Sequence, residues 1–285
     1  MNAMKLAIPF FVALAYGPSP ALAARVLGTE LASFAVLGSA TVTNTGPTTL
    51  TGNLGVSAGS AITGFFGTVE NDGPGVFTGT AHQADATAGL AQSQLALAMT
   101  SLGLMGPGAG LGADLAGLTL TPGVYTVLAG ASNLTGTLTL DGLGNANAFW
   151  VFQMPSTLIT SSGSLVNVIN TGADAGVFWN VGSSATLGST TSFEGNILAL
   201  ASITLGTGAT MGCGSAYAHT GAVTMDTNTV SSGCTGGLTV AGLGDVATPL
   251  PFAPLTPIPE PSTFLLLGFG LAGLLTFRKR LLPVA

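Results

Sequence analysis

Threonine is the residue whose placement most invites a chemical reading. Thr157, Thr186, Thr204 and Thr224 recur at one repeated position, and Thr160, Ser189, Thr207 and Thr227 at a second, three residues further on. Stacked on parallel strands about 4.7–4.9 Å apart, two such columns would present hydroxyls and methyls to water as a flat, regular lattice. Threonine is also simply favoured in strands, so a solvated strand surface is the plain alternative. Other reactive types are few. Gly55-Val56-Ser57-Ala58-Gly59 has the spacing of a nucleophile elbow, but an elbow needs a strand–turn–helix in an α/β sheet. His82 and His219 are the chain's two histidines, and both fall where a structural role is expected. The carboxylates (Glu70, Asp72, Asp85, Asp114, Asp141, Asp174, Glu194, Asp226 and Asp245) are scattered, without an EF-hand or G-G-x-G-x-D pattern. No metal, no cofactor and no enzymatic activity is expected.

Composition narrows the function further. The 285 residues include only five Lys+Arg and eleven Asp+Glu, for a formal net charge of −6. Arg25 is the lone cation between Ala24 and Pro259. A nucleic-acid partner needs clustered basic side chains to displace counterions, so that class is excluded. Phosphoryl transfer lacks its cationic clamp, and a polysaccharide lyase lacks the Lys or Arg it would use beside a uronate. Disorder is excluded as well, because 47% of residues are hydrophobic.

Both ends carry processing signals. Residues 1–23 combine Lys5, an apolar stretch from Leu6 to Ala15 and an Ala21-Leu22-Ala23 cleavage site, which predicts a secretory signal peptide. At the other end Pro257-Ile258-Pro259-Glu260-Pro261 leads into an apolar run, 264–277, and then Arg278-Lys279-Arg280. Fourteen helical residues span ~21 Å, short of a ~30 Å hydrocarbon core. A tail anchor is one reading of this segment. The order of Pro-Glu-Pro, apolar helix and basic cluster resembles the PEP-CTERM sorting signal. That resemblance implies an exosortase-type partner acting near Pro259, Glu260 and Pro261, transient membrane anchoring, and a cell-surface or extracellular destination. Residues 236–256, rich in Gly, Pro and Leu, read as a linker.

Between the signals the chain repeats. Apolar openings begin at Gly123, Ala148, Gly176, Asn196 and Ser215, separated by 25, 28, 20 and 19 residues, each followed by a Thr/Ser/Gly-rich segment. Periods near twenty with strand-like runs predict a β-solenoid. A sandwich would show turn signals every 8–12 residues instead. Trp150 and Trp179 fall at equivalent places in two openings and read as core. Cys213 and Cys234 are 21 residues apart, about one coil, so in an exported chain they are expected to form a disulfide, with two buried thiols as the alternative. One stretch differs: Ala84, Ala88, Ala91, Leu95, Ala98 and Leu102 recur at spacings of 4 and 3, predicting a helix over about 80–104. Thr80-Ala81-His82-Gln83 would supply its capping box.

One long helix beside a solenoid, with Leu31–Ser39, Thr41–Pro47, Thr51–Ser57, Phe193–Ala199 and Thr220–Thr229 in that order, resembles the microbial ice-binding protein family. The resemblance covers roughly residues 25–235. It implies a mostly β fold: a discontinuous, roughly triangular parallel β-solenoid over 24–235, with one α-helix alongside. The N-terminal strands would join out of sequence order and residues 46–76 would cap one end. It also implies adsorption to ice through a flat threonine-rich face. Thr207-Gly208-Ala209-Thr210 matches the T-A/G-x-T/N pattern of that face in some members. The expected ice-contacting residues are therefore Thr160, Thr186, Ser189, Thr204, Thr207, Thr210, Thr224 and Thr227. A cell-surface or biofilm-matrix adhesion protein on the same fold, with extracellular polysaccharide as partner, is the alternative.

Overall fold

The computed structural model describes residues 24–128, 130–172 and 175–232, together with a strand at Thr239–Val240 that pairs antiparallel with Ala24–Arg25. The rest is three parallel sheets of nine, eight and seven strands that wind around one apolar core. Short strands alternate between inward aliphatic and outward polar residues. Leu158–Thr160, Ala185–Leu187, Ile203–Leu205 and Val223–Met225 each bury their first and third residues around an exposed second. Aromatic side chains stack along the axis, with Phe152 over Trp179 at 4.0 Å and 8°, and Trp179 against Phe193 at 4.9 Å.

Sequence-adjacent coils do not account for the whole stack. Phe34–Gly38 pairs with Ala216–Ala218, Thr41–Asn44 with Val223–Met225, and Thr49–Thr51 with Thr229–Ser231, all parallel. The N-terminal segment therefore extends all three sheets beyond the last C-terminal coil. It adds a further turn through Asn53–Val56, Ala61–Thr63 and Val76–Phe77. The expected cap over 46–76 is correspondingly narrower, because the strands within that range are solenoid strands. Only the loop 64–75 closes the end. Phe65 is buried edge-on to Phe77 at 6.3 Å, and the Gly64 amide donates to Asp72 Oδ1 at 2.6 Å.

Discontinuity requires a way back to the far end, and the helix provides it. In the nine-stranded sheet Ala81–Gln83 is one outer strand and Ala109–Leu111 the other. Nine strands span ~38 Å at the parallel spacing. The helix, Ala86–Gly103, covers ~27 Å of that distance. Ala88, Ala91, Leu95, Ala98 and Leu102 bury against Phe34, Leu37, Val151, Phe178, Leu198 and Tyr217 of this sheet. Small residues at three of the five positions let the helix lie close. Polar side chains then fix it: Gln92 Nε2 donates to the Gly38 and Ala218 carbonyls, and Asn180 Nδ2 to that of Met99.

The helix starts later than its sequence pattern suggests. Ala81–Gln83 is taken by the sheet, with Leu54 opposite Ala81 and Gly55 opposite His82. Ala84 turns the chain at φ 55°, and the N-cap is Asp85, which accepts from the Ala88 amide at 2.9 Å. Thr80 caps nothing here. His82 Nδ1 lies 2.7 Å from Asp85 Oδ2, so that histidine is structural. Trp150 and Trp179 are both fully buried, but not equivalent: Trp179 pairs with Phe152, and Trp150 with Val177.

A chain of buried polar groups stitches the seam where N-terminal coils meet C-terminal ones. Asn228 Nδ2 donates to the Gly206 and Ala209 carbonyls at 2.8 and 3.0 Å, and its amide donates to Thr48 Oγ1. Thr48 Oγ1 donates onward to Asn44 Oδ1 at 2.6 Å, and Asn44 Nδ2 reaches the Gly46 and Gly64 carbonyls. Each of these groups would otherwise be unpaired in the interior, where an unmet hydrogen bond is costly.

Two stability measurements follow from these contacts. Asn228→Ala takes one of two donors from each of the Gly206 and Ala209 carbonyls and removes the Oδ1 acceptor of the Asp226 amide. It is expected to lower stability by about 1–3 kcal/mol, read from the chemical-denaturation midpoint. Asp85→Ala removes the helix cap and costs about 1 kcal/mol in thermal melts near neutral pH. Partial burial pushes the Asp85 carboxyl up, but hydrogen bonds from the Ala88 amide and His82 outweigh it and hold the group below the usual aspartate range. Stability gained from a lowered carboxyl is present above its unfolded value and is lost as pH falls through its folded one. The gap between wild type and D85A therefore closes on acidification; a gap that widens would contradict the assignment.

Candidate functional site

Two of the three sheets leave their outer faces free of the helix. On the seven-stranded face Asn133, Ile159, Thr186, Thr204, Thr224, Thr43 and Thr63 succeed one another in register. Five consecutive threonines thus form one unbroken row. Thr186, Thr204 and Thr224 were expected there; Thr43 and Thr63 were not. The signal for them is a shared triplet of small residue, aliphatic residue and threonine. It reads Ser202-Ile203-Thr204, Ala222-Val223-Thr224, Thr41-Val42-Thr43 and Ala61-Ile62-Thr63.

Two expected members of the columns fall away. Ile159, not Thr157, stands opposite Thr186. Thr160 is buried, and its hydroxyl lies 2.8 Å from that of Thr191 and accepts from the Gly188 amide. Strand alternation turns its side chain inward next to the exposed Ile159, so Thr160 cannot contact a surface ligand.

The eight-stranded face carries more than one row. Thr137, Leu165, Ser192, Thr210, Thr229, Thr49 and Val76 follow in register, giving four successive hydroxyls from Ser192 to Thr49. Two residues further along these strands stand Glu194, Gly212, Ser231 and Thr51, with Glu194 opposite Gly212 and Ser231 opposite Thr51. Ser189 and Thr207 are exposed at the corner that leads into this face. Past each of them the chain turns through a left-handed residue, Thr190 at φ 57° and Gly208 at φ 70°. It then buries one small residue, Thr191 or Ala209, before Ser192 or Thr210 points outward. Thr207-Gly208-Ala209-Thr210 is therefore a corner motif that sets two outward hydroxyls on one side of a left-handed turn.

The last corner is a residue shorter, which moves Thr227 out of the column. Thr204 and Thr224 pair across 20 residues, Thr210 and Thr229 across 19. Asp226, not Thr227, thus comes beside Thr207, whose hydroxyl donates to Asp226 Oδ2 at 2.5 Å. Thr227 itself adopts the left-handed position at φ 55° and donates to Asp226 Oδ1 at 3.0 Å. These two hydroxyls hold the Asp226 carboxyl below the usual range.

The remaining expected groups are spread over the molecule. His219 Nδ1 lies 3.4 Å from Gln92 Oε1 under the helix, away from both open faces. Among the described residues no three His, Cys, Asp or Glu side chains come together to hold a metal ion. Cys213 follows strand Thr210–Gly212, while Cys234 lies outside the described residues. So do residues 1–23, Pro259, Glu260, Pro261 and the apolar run 264–277. No helix among the described residues is long and apolar enough to cross a membrane.

Comparison with known proteins agrees with this geometry. The ice-binding-like family model matches residues 36–231, and a PEP-CTERM protein-sorting motif matches residues 257–280. An ice-binding protein of Nostoc sp. (strain HG1) is 48% identical over 259 residues, which cover 90% of this chain and 87% of that protein. A crystal structure of an ice-binding protein from the Antarctic ascomycete Antarctomyces psychrotrophicus superposes with a TM-score of 0.67 at 37% identity, over 74% of this chain and 98% of that one. A second, from an Antarctic biological consortium, gives 0.65 at 34% identity over 81% and 96%. The family match runs from the first inserted strand to the last described coil, and the chain belongs to the ice-binding-like family.

Proposed function

We propose that the protein adsorbs to ice through its eight-stranded face, with Ser189, Thr207, Ser192, Thr210, Thr229, Thr49, Ser231 and Thr51 as the contacting hydroxyls. The observation that carries this reading is the corner motif at Thr207–Thr210, which adds Ser189 and Thr207 beside the two rows on the sheet before Asp226 ends that third line. An ice plane is a two-dimensional target, and rows repeated every ~4.8 Å along the solenoid and ~6.6 Å along the strands address it in both directions. Methyl groups favour cage-like water between the anchoring hydroxyls, while an ion would impose its own hydration shell. A chain with 6% charged residues suits that demand. Adsorbed molecules force the ice front to curve between them, which depresses freezing and slows recrystallisation. No bond is made or broken, so adsorption needs neither catalysis nor a cofactor.

A second reading rests on the five-threonine row of the seven-stranded face, Thr186 to Thr63, which is flanked by Ser184, Ser202, Ala222, Thr41 and Ala61 and carries no charge. It offers a narrower contact, because each strand there presents one central residue. The relatives named above are ice-binding proteins, which favours either face over a surface-adhesion role.

The ends of the chain fit an exported protein. We propose that residues 1–23 are removed as a signal peptide and 236–256 link the domain to its sorting signal. An exosortase-type enzyme would then act near Pro259-Glu260-Pro261 while the tail is transiently held in the membrane. Extracellular polysaccharide is the natural acceptor or neighbour at that surface. A Cys213–Cys234 disulfide would close one coil-length loop where fraying starts, stabilising by roughly 3 kcal/mol. Alkylation of the unreduced protein followed by mass spectrometry is expected to find both cysteines protected, and labelling of both would remove the disulfide from the account.

Thr210→Tyr places a bulky ring in the middle of the proposed face without touching the core. It is expected to abolish most thermal hysteresis while the melting temperature stays near wild type. Thr204→Tyr on the other face should leave the activity close to wild type. The reverse pattern would move the site to the seven-stranded face. A folded wild-type protein without thermal hysteresis or recrystallisation inhibition would refute ice binding altogether.

A further inference from the structure

The eight-stranded face is not uniform. Glu194 points outward in its second row, opposite Gly212 on the next coil. The glycine leaves a vacancy there, and the carboxylate leans over it: a Cβ placed on Gly212 would lie 2.5 Å from Glu194 Oε1. A carboxylate thus occupies the lattice position that a side chain of the Thr210 coil would otherwise fill. Beyond Glu194, away from the seam, the face changes character, with Leu165 and Asn167 as its outward residues. On the seam side every outward residue of the two rows, as far as Thr49 and Thr51, is Thr, Ser or Gly.

We propose that Glu194 is the residue that limits the ice-contacting patch and makes its extent depend on pH. The inference rests on the eight-stranded face being the ice-binding one. Ionised, Glu194 orders water around its own charge and breaks the lattice between the Ser192 and Thr210 coils. The hold of Ser189 and Ser192 on ice is then weakened, and the coils from Thr210 to the seam carry most of the contact. Neutral, the carboxyl becomes a donor and acceptor comparable to the neighbouring hydroxyls, and the Ser189–Ser192 coil engages fully.

Among the described residues no ion pair reaches Glu194 to hold it ionised. It is half-buried, and burial pushes its carboxyl above the usual glutamate range. The elements packed on it bring Val177, Trp179, Phe193, Asn167 and Thr210–Gly212, none of which titrates in this range, with Cys213 next in sequence. The Trp179 indole donates to the backbone carbonyl of Glu194, not to its carboxylate. The other described carboxylates on this side are Asp141 and Asp226. Asp141 is held down by the Leu143 amide and Asn170, and Asp226 by Thr207 and Thr227. Both are satisfied as anions, and Glu194 stands apart from them in that respect.

Thermal hysteresis of wild type, Glu194→Gln, Glu194→Lys and Thr210→Tyr, measured from about pH 8 to about pH 4, tests the proposal across the glutamate range. Wild-type activity is expected to rise on acidification to the level of E194Q. E194Q is expected to be high and flat with pH, and E194K low and flat. Circular dichroism melts confirm that each variant is folded. If T210Y abolishes activity but E194Q matches wild type at every pH, the role of Glu194 is overturned and the face stands. If T210Y leaves activity intact, the face assignment fails and takes the role of Glu194 with it.

Discussion

Strand Val223–Met225 hydrogen-bonds to Thr41–Asn44, and Thr229–Ser231 to Thr49–Thr51, although some of the paired residues lie 180 positions apart in the chain. The strand rows of both open faces pass through that seam. Without it the threonine row of the seven-stranded face stops at Thr224, and the hydroxyl row of the eight-stranded face stops at Thr229. A parallel ladder satisfies one backbone donor and acceptor after another, but each outer strand exposes unpaired groups. Inserting the N-terminal coils moves that exposed edge outward to strands closed by the loop 64–75. The buried Asn228, Thr48 and Asn44 side chains make the seam specific, since only this register gives each of them partners.

The helix follows from the same constraint. A chain that lays down its N-terminal coils at one end must return to the other before it winds the remaining coils. The helix provides that path over the nine-stranded sheet, and in doing so it covers that sheet's outer face. Two open faces remain, and they differ in chemistry. One presents a single uncharged threonine row. The other offers several hydroxyl rows, set by left-handed corners and interrupted by Glu194 in the second row and by Asp226 beside Thr207.

Much of this was legible in the sequence. The repeat, the helix stripe from Ala88 to Leu102 and the outward Thr186, Thr204 and Thr224 stand where the residue pattern put them, and the out-of-order N-terminal strands and the outward Thr210 where the family resemblance put them. What failed was register. Ile159, not Thr157, stands opposite Thr186, so the column was counted two residues out, and Thr160, level with the buried Leu187, falls inside. The shorter corner before Asn228 shifts the count by one between faces, which put Asp226 in the place expected of Thr227. Thr43 was missed because its partner Thr224 lies far along the chain. Thr43 and Thr63 themselves pair across 20 residues, one coil, but the repeat was read only from Gly123 onward. The helix start was misplaced because Ala81–Gln83 can serve equally as a capping segment or as an outer strand. Only the neighbouring Asn53–Val56 strand decides between the two.

The central claim is that in-register hydroxyl rows on a charge-poor solenoid bind ice directly. Partitioning of the purified, fluorescently labelled protein into a slowly grown single ice crystal tests it most directly. The account predicts incorporation into the crystal on defined planes, at concentrations where a non-binding control protein is pushed ahead of the front. Exclusion of a demonstrably folded sample from the ice would contradict it.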